Sequence, residues 1–160
     1  LGDGRRRDWL EEQVQKWELA GSVHLLGGRH VETMPAYFSL ADAMLVTLRP
    51  DPTFAATIPG KVQSYLACGR PIVGALDGEG AKVIRESGAG FAVAAGDADG
   101  LADSVLKMSK MSSDKKKEMG DNGMAYYMKN FNGEKLIDQL EEWLNKWIKR
   151  HNENTGARWR

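Results

Sequence analysis

Cysteine is almost absent from this chain of 160 residues, in which Cys68 stands alone. A single thiol excludes an internal disulfide framework and a cysteine-based zinc site, and it is typical of proteins made in a reducing cytosol. An excess of either charge is also absent, because 22 Lys and Arg residues balance 22 Asp and Glu residues. No overall field therefore marks the chain as a binder of nucleic acid, and we expect no nucleic-acid partner.

Long apolar runs are missing too. No stretch approaches the roughly 18 apolar residues that a membrane-spanning helix needs, and the opening residues LGDGRRRDWLEEQVQKW lack the apolar centre of a secretory signal. Apolar residues still make up 42% of the chain, which is enough for one core of ordinary size. These features predict a soluble domain in the cytoplasm.

Short apolar segments alternate with helical patterns along the chain. Strands are predicted over 22–26, 43–48, 71–76 and 90–94. A first helix carries Leu10, Val14 and Trp17 and stops at Gly21; further helices are predicted over 31–38, 59–68, 79–87, 98–110, 113–129 and 133–150, with a loop over 49–58. This alternation predicts an α/β fold: a Rossmann-like, doubly wound parallel sheet with helices on both faces and a helical C-terminus. The domain covers 1–150, and 151–160 is predicted to be a disordered tail.

Ligands of open α/β sheets bind outside the carboxyl ends of the strands, and three loops there contain glycine. The first contains Gly2 and Gly4 ahead of a helix, so its amides could approach an anion. A turn that needs positive φ explains both glycines equally well. Arg7 stands where the third glycine of a dinucleotide fingerprint would be, so that fingerprint is incomplete.

The second loop runs from Gly27 to Val31 with the sequence GGRHV. Its glycines would let a flat base approach the backbone, with Arg29 or His30 beside it. The alternative is that His30 is an ordinary exposed histidine.

The third loop, ATIPGK at residues 56–61, is the most informative segment. Pro59 suits the first position of a helix, where the amide has no partner in any case, and Gly60 leaves the neighbouring free amides open. The helix dipole and Lys61 add positive charge, so this corner predicts a phosphate site. The alternative is that Thr57 caps the helix and Lys61 is a solvated surface lysine.

Three consecutive segments resemble the nucleotide-binding half of family-four, retaining glycosyltransferases with the GT-B fold. In chain order they are GDGRRRDWLEEQV, VHLLGGRHVETMPAYFSLADAMLVTL and TIPGKVQSYLACGRPIVGALDGEGAKVIRESGAGFAVAAGDADGLADSVLKM. The resemblance covers about residues 1–145 and extends in particular to bacterial enzymes that build O-antigen or capsule sugars, as in lipopolysaccharide biosynthesis. It implies transfer of a hexosyl or N-acetylhexosaminyl group from a nucleotide sugar, with UDP as the expected nucleotide, to a polysaccharide or lipid-linked acceptor. No metal or other cofactor is implied.

The resemblance also assigns residues. It implies that Lys61 is the catalytic cation, which would stabilise the negative charge that grows on the β-phosphate as the sugar leaves. Many family members carry two glutamates eight positions apart at this corner, where this chain has Ala56 and Ser64, so the donor sugar is not assigned. Together with Gly2 and Gly4 of the first glycine loop, the predicted nucleotide-binding residues are Gly28, Arg29, His30, Val31, Thr57, Ile58, Pro59, Gly60, Lys61, Gln63 and Ser64.

The family's catalytic centre lies between two domains, and the resemblance covers only the second. We therefore expect a partner in a missing N-terminal domain of the same polypeptide, and expect the chain alone to be inactive. The last helix carries an apolar stripe with Leu136, Leu140, Trp143 and Trp147. That domain would cover the stripe, or the two tryptophans would contact the inner face of the cell membrane.

Two acidic motifs and two other functions remain as alternatives. Asp97 and Asp99 have the spacing of a metal-binding pair, but a helix cap explains them better and no metal is predicted. Glu79 either faces the cleft or merely opens the next helix. The missing glutamates also fit a non-catalytic nucleotide-binding or regulatory module, while the incomplete glycine fingerprint argues against a nicotinamide-dependent dehydrogenase.

Overall fold

A computed structural model describes residues 1–155. It divides into two compact units, Leu1–Leu40 and a second that begins at Ala41, and each is described by itself. The first unit contains α1 (Arg7–Lys16), a 3₁₀ helix (Val31–Thr33) and α2 (Met34–Ser39). The second contains β1 (Met44–Thr47), α3 (Pro52–Ala55), α4 (Gly60–Ala67), β2 (Ile72–Ala75), α5 (Gly78–Glu86), β3 (Gly90–Val93), α6 (Ala98–Ser109), α7 (Ser113–Asn130) and α8 (Gly133–Thr155).

In the first unit, α1 ends earlier than its sequence predicts. Glu18 adopts a left-handed backbone with φ of 54°. The N–H of Leu19 then bonds the carbonyl of Val14 at 2.8 Å, and the N–H of Glu18 bonds that of Gln15 at 3.1 Å. This pair of bonds is a Schellman stop, usually made with glycine. The predicted stop at Gly21 is therefore wrong.

The strand predicted over 22–26 is also wrong, because those residues are not in a strand. An apolar segment becomes a strand only when a neighbouring strand bonds to its backbone. Instead, the N–H groups of Ser22 and Val23 bond the carbonyl of Leu19 at 2.9 and 2.8 Å, and Arg7 donates a side-chain bond to the carbonyl of Leu25 at 3.4 Å. Just beyond the segment, the Gly2 N–H bonds the carbonyl of Gly27 at 2.8 Å.

The second unit is organised around three parallel strands in the order β1-β2-β3. All three lie within the predicted segments. Side chains alternate between the faces of β2: Val73 lines a groove with Val105 and Met108 of α6, whereas a side chain at Gly74 would meet Ile84 of α5. Helices therefore cover both faces, and the predicted α/β fold class with a helical C-terminus is confirmed.

Two glycines bring α7 against α4 and the turn that follows it. A Cβ at Gly120 would lie 2.1 Å from the carbonyl oxygen of Gly69, and one at Gly123 would lie 3.0 Å from Leu66. Gly69 itself has φ of 61° and ends α4, as predicted. The backbone of α7 at Gly120 therefore lies so close to the turn after α4 that no side chain would fit at residue 120.

Two segments are more helical than predicted. The short helix α3 lies inside the predicted loop 49–58. Helix α8 runs on through Thr155, so 151–155 of the predicted disordered tail are helical, while 156–160 lie outside the described residues. Within the described part of the chain, no helix is both long enough and apolar enough to cross a membrane.

We expect Gly120→Ala to destabilise the second unit by about 1–3 kcal/mol, because the new methyl group overlaps backbone that cannot rotate away. This loss outweighs the higher helix propensity of alanine. Urea unfolding of the variant measures it. Gly133→Ala is the matched control, since a Cβ there meets no atom within 4 Å. Equal unfolding midpoints for the two variants would contradict the close approach of α7.

Candidate functional site

The amino terminus of α4 follows the carboxyl end of β1. The helix begins at Gly60, one residue later than predicted. Pro59 is therefore the cap residue and not the first residue of the helix. The Pro59 carbonyl accepts the N–H of Val62 at 2.9 Å. In the described residues, the N–H groups of Gly60 and Lys61 have no backbone acceptor, and a proline cap offers no side-chain acceptor either.

Positive charge accumulates at this helix end. Gly60 borders open space, and Lys61 is exposed and forms no ion pair within residues 1–155. Two free amides, the positive end of the helix dipole and an ammonium group together favour an anion. The corner predicted from PGK thus combines free amides with positive charge, and its phosphate site stays a prediction.

Thr57 does not cap α4. Its hydroxyl donates to the carbonyl of Phe54 at 3.1 Å, and its N–H donates to the same oxygen at 3.2 Å. The alternative that Thr57 is the helix cap is therefore wrong: this residue closes the preceding helix, α3.

Helix α3 shapes the loop before the corner. The Asp51 carboxylate caps it by accepting the N–H of Thr53 at 2.8 Å, and Pro52 follows at its first position. That bond, with a smaller contribution from Arg49, lowers the pKa of Asp51. Sequence reasoning missed this helix, although an Asp-Pro pair is a helix-start signal.

The first turn of α5 packs directly on this loop. Gly78 has φ of 65°, and a Cβ there would lie 1.9 Å from the carbonyl oxygen of Ala55. A Cβ at Gly80 would lie 2.8 Å from the Pro59 ring. Both glycines are needed for this contact, which supports the loop on both sides of Thr57. The sequence analysis assigned these two glycines no role, although their spacing at a helix start was the available signal.

Gln63 and Ser64 lie in the first turns of α4, next to the free amides. The Ser64 hydroxyl donates back to the carbonyl of Gly60 at 3.0 Å, so its remaining capacity is as an acceptor. Ile58 is half-buried and Ala56 is exposed. No carboxylate stands at either position 56 or position 64.

The predicted base-binding residues lie in the first unit. The bond from Gly2 to Gly27 joins the first two glycine loops, and Gly28 lies near Asp3. Gly2 and Gly27 have positive φ, whereas Gly4 does not.

The side chains of the second loop are partly occupied within that unit. Arg29 donates through Nε to the Tyr37 hydroxyl at 3.1 Å and through Nη1 to the Gly28 carbonyl at 2.9 Å. His30 caps the 3₁₀ helix and is exposed, as is Val31. The candidate residues are thus divided between the two units.

Local structure accounts for Asp97 and for the lone cysteine. Asp97 caps α6 by accepting the N–H of Gly100 at 2.8 Å, as the cap interpretation predicts. Burial raises the pKa of the Cys68 thiol despite the opposing charge of Arg70, so this residue is less ionised at neutral pH than a free cysteine.

We expect Gly78→Ala to lower the free energy of unfolding and to shift the amide resonances of residues 55–60. The methyl group would overlap the Ala55 carbonyl and would also occupy a left-handed backbone. Gly96→Ala is the matched control: its φ is 84°, but the nearest atom, in Pro50, lies 3.5 Å away. The difference between the variants, about 1–3 kcal/mol, isolates the overlap. Equal stability would show that α5 does not support the loop.

Comparison with solved structures identifies the fold. Sucrose-phosphate synthase from Thermosynechococcus elongatus matches with a TM-score of 0.78 and 22% identity, over 92% of this chain and 35% of that chain. Anabaena Alr3699/HepE in complex with UDP-glucose matches with a TM-score of 0.74 and 22% identity, over 91% of this chain and 39% of that chain. This chain therefore spans little more than a third of either protein. The shared fold is that of the carboxyl-terminal domain of GT-B glycosyltransferases.

None of the curated proteins matches the chain significantly. A family model described as "Glycosyl transferases group 1" matches residues 1–111, which is more than half of the chain and includes the three glycine loops. The chain therefore belongs to the group 1 glycosyl transferases.

Proposed function

We propose that this chain is the donor-binding domain of a glycosyltransferase that moves a sugar from a nucleotide sugar to a polysaccharide or a lipid-linked acceptor. The observation that supports this function most directly is the α4 corner, where the amides of Gly60 and Lys61 have no backbone acceptor within residues 1–155 and the Lys61 side chain is exposed. Family membership supplies the reaction class.

The chemistry of the corner suits a departing diphosphate. Negative charge grows on the β-phosphate as the bond to the sugar breaks, and groups already aimed at that charge lower the barrier. In this proposal the backbone amides bind the phosphate and Lys61 supplies a full positive charge. Because the chain's own groups provide this stabilisation, the proposal includes no metal or other cofactor.

The donor in this proposal is a UDP-linked hexose or N-acetylhexosamine, transferred with retention. Alr3699/HepE has been seen with UDP-glucose, with UDP, and with UDP and glucose. The base would lie against loop 28–31 with Gly2 and Gly4 nearby, and the ribose would contact Gln63 or Ser64. We assign the enzyme to bacterial lipopolysaccharide biosynthesis on the cytoplasmic side of the membrane.

The proposal places this domain in a larger parent enzyme, since both solved relatives are more than twice as long as the matched part. A second domain of the same polypeptide would complete the cleft, and the isolated chain would be inactive. The apolar stripe of α8 supports such a partner: Trp143 and Trp147 are 59% and 63% exposed. A peripheral membrane contact is the second candidate, favoured by Lys146, Lys149 and Arg150 beside the tryptophans.

We expect this chain to bind one nucleoside diphosphate selectively, and Lys61→Ala to weaken that binding by about 10- to 100-fold, as expected for loss of a charge-assisted contact. Amide-shift titrations with UDP, GDP, ADP and NAD at millimolar concentration measure both effects. Shifts should centre on 57–64 and on 27–31. Lys110→Ala, an exposed lysine at the end of α6, is the control and should bind normally.

No selective shift with any of these nucleotides would overturn the donor-binding function. Selective binding in a parent enzyme that transfers no sugar would instead favour the non-catalytic nucleotide-binding module.

We expect Trp143→Ala and Trp147→Ala to lower the thermal stability of the parent enzyme without changing its sedimentation with phosphatidylglycerol vesicles. Loss of packing against a second domain is the reason. Trp17→Ala removes a ring that is equally exposed, at 64%, and serves as the control. Vesicle binding that disappears with either α8 variant would establish the membrane contact instead.

A further inference from the structure

We propose that Glu79 binds the hydroxyl groups of the transferred sugar and thereby selects the donor. This inference rests on the proposed function of the α4 corner and names the residue that would recognise the sugar. The inference has three grounds. The first turn of α5 lies against the loop before α4, two neighbouring carboxylates already accept backbone hydrogen bonds, and the loop before α4 has no carboxylate at position 56.

Glu79 is held beside the corner by its two neighbours in the chain. The backbone of Gly78 abuts the carbonyl of Ala55, and the backbone of Gly80 abuts the ring of Pro59. The first turn of α5 is therefore fixed against the loop that leads into the free amides of α4. A hexose is joined to the β-phosphate through one oxygen, so a phosphate at that corner brings its sugar near this turn.

Two other carboxylates near this edge of the sheet already accept backbone hydrogen bonds. Asp51 caps α3 through Thr53. Asp77 accepts the N–H of Ala95 at 3.1 Å and so ties the end of β2 to the segment after β3. Neither carboxylate can bind a ligand through the same oxygen without breaking its hydrogen bond to the backbone.

Glu79 is engaged much more weakly. Its side chain is 52% exposed, and its recorded contact is Lys82 at 3.7 Å, one turn along the same helix. Exposed pairs of this kind contribute little and exchange readily.

The loop residues just before the corner offer little for this recognition. Ala56 has no polar side-chain atom, and the Thr57 hydroxyl already donates to Phe54. A carboxylate accepts hydrogen bonds from two adjacent sugar hydroxyls, and charge-assisted bonds of this kind are the strong ones. Glu79 is placed to make them.

The test compares Glu79→Gln with the unchanged chain in binding a nucleoside diphosphate and its sugar conjugates. The probes are UDP with UDP-glucose, UDP-galactose and UDP-N-acetylglucosamine, and GDP with GDP-mannose. We expect the variant to bind its best sugar nucleotide at least about tenfold more weakly and the corresponding free diphosphate equally well. Glu86→Gln, exposed in the last turn of the same helix, should change neither affinity.

The outcomes separate the two proposals. Unchanged sugar-nucleotide affinity in Glu79→Gln, with normal diphosphate binding, overturns the role of Glu79 and leaves the donor site standing. Equal weakening of the diphosphate and its conjugate also overturns it, because the effect then lies in the phosphate corner. Failure of the unchanged chain to bind any diphosphate overturns the proposed function itself, and the role of Glu79 with it.

Discussion

The candidate site depends on one backbone contact, in which the first turn of α5 meets the carbonyl of Ala55. A peptide carbonyl occupies the space that a side chain at position 78 would need, and Leu76 and Pro59 together occupy that at position 80. Two helices that follow neighbouring parallel strands begin at the same sheet edge, but ordinary side chains would keep their starts apart. Glycine at 78 and 80 removes that separation. The loop before α4 is thereby supported by the next helix, as well as by the strand it leaves.

Much of the second unit could be predicted from its sequence, because its signals are local. The apolar segments that became β2 and β3 are bounded by Gly and Pro, and Gly69 and Gly88 follow their helices in left-handed backbone. Contacts between distant residues left no such signal. The residues around Gly120 do not indicate that its backbone lies against the carbonyl of Gly69.

The first unit was less predictable for a related reason. A strand is defined by its neighbours, and the segment 22–26 is apolar without being paired. Glu18 takes a backbone conformation that sequence patterns assign to glycine, so the end of α1 was misplaced. At the site, PGK predicted a helix start within one residue of its position, because capping geometry depends on adjacent residues, while the phosphate-binding role of this corner stays a prediction. The roles of Thr57 and Asp51 depend on α3, which was not predicted.

The hydrogen bond from the Ser64 hydroxyl to the Gly60 carbonyl determines which hydrogen bonds this side chain can make to a ligand. Its proton is committed to the carbonyl of Gly60, which leaves only lone pairs facing outward. A ribose placed here would have to act as the donor, through a hydroxyl hydrogen directed at the serine oxygen. A deoxyribose with no hydroxyl at that carbon has no hydrogen to donate to the serine oxygen. One uncharged side chain of this helix would therefore distinguish ribonucleotides from deoxyribonucleotides.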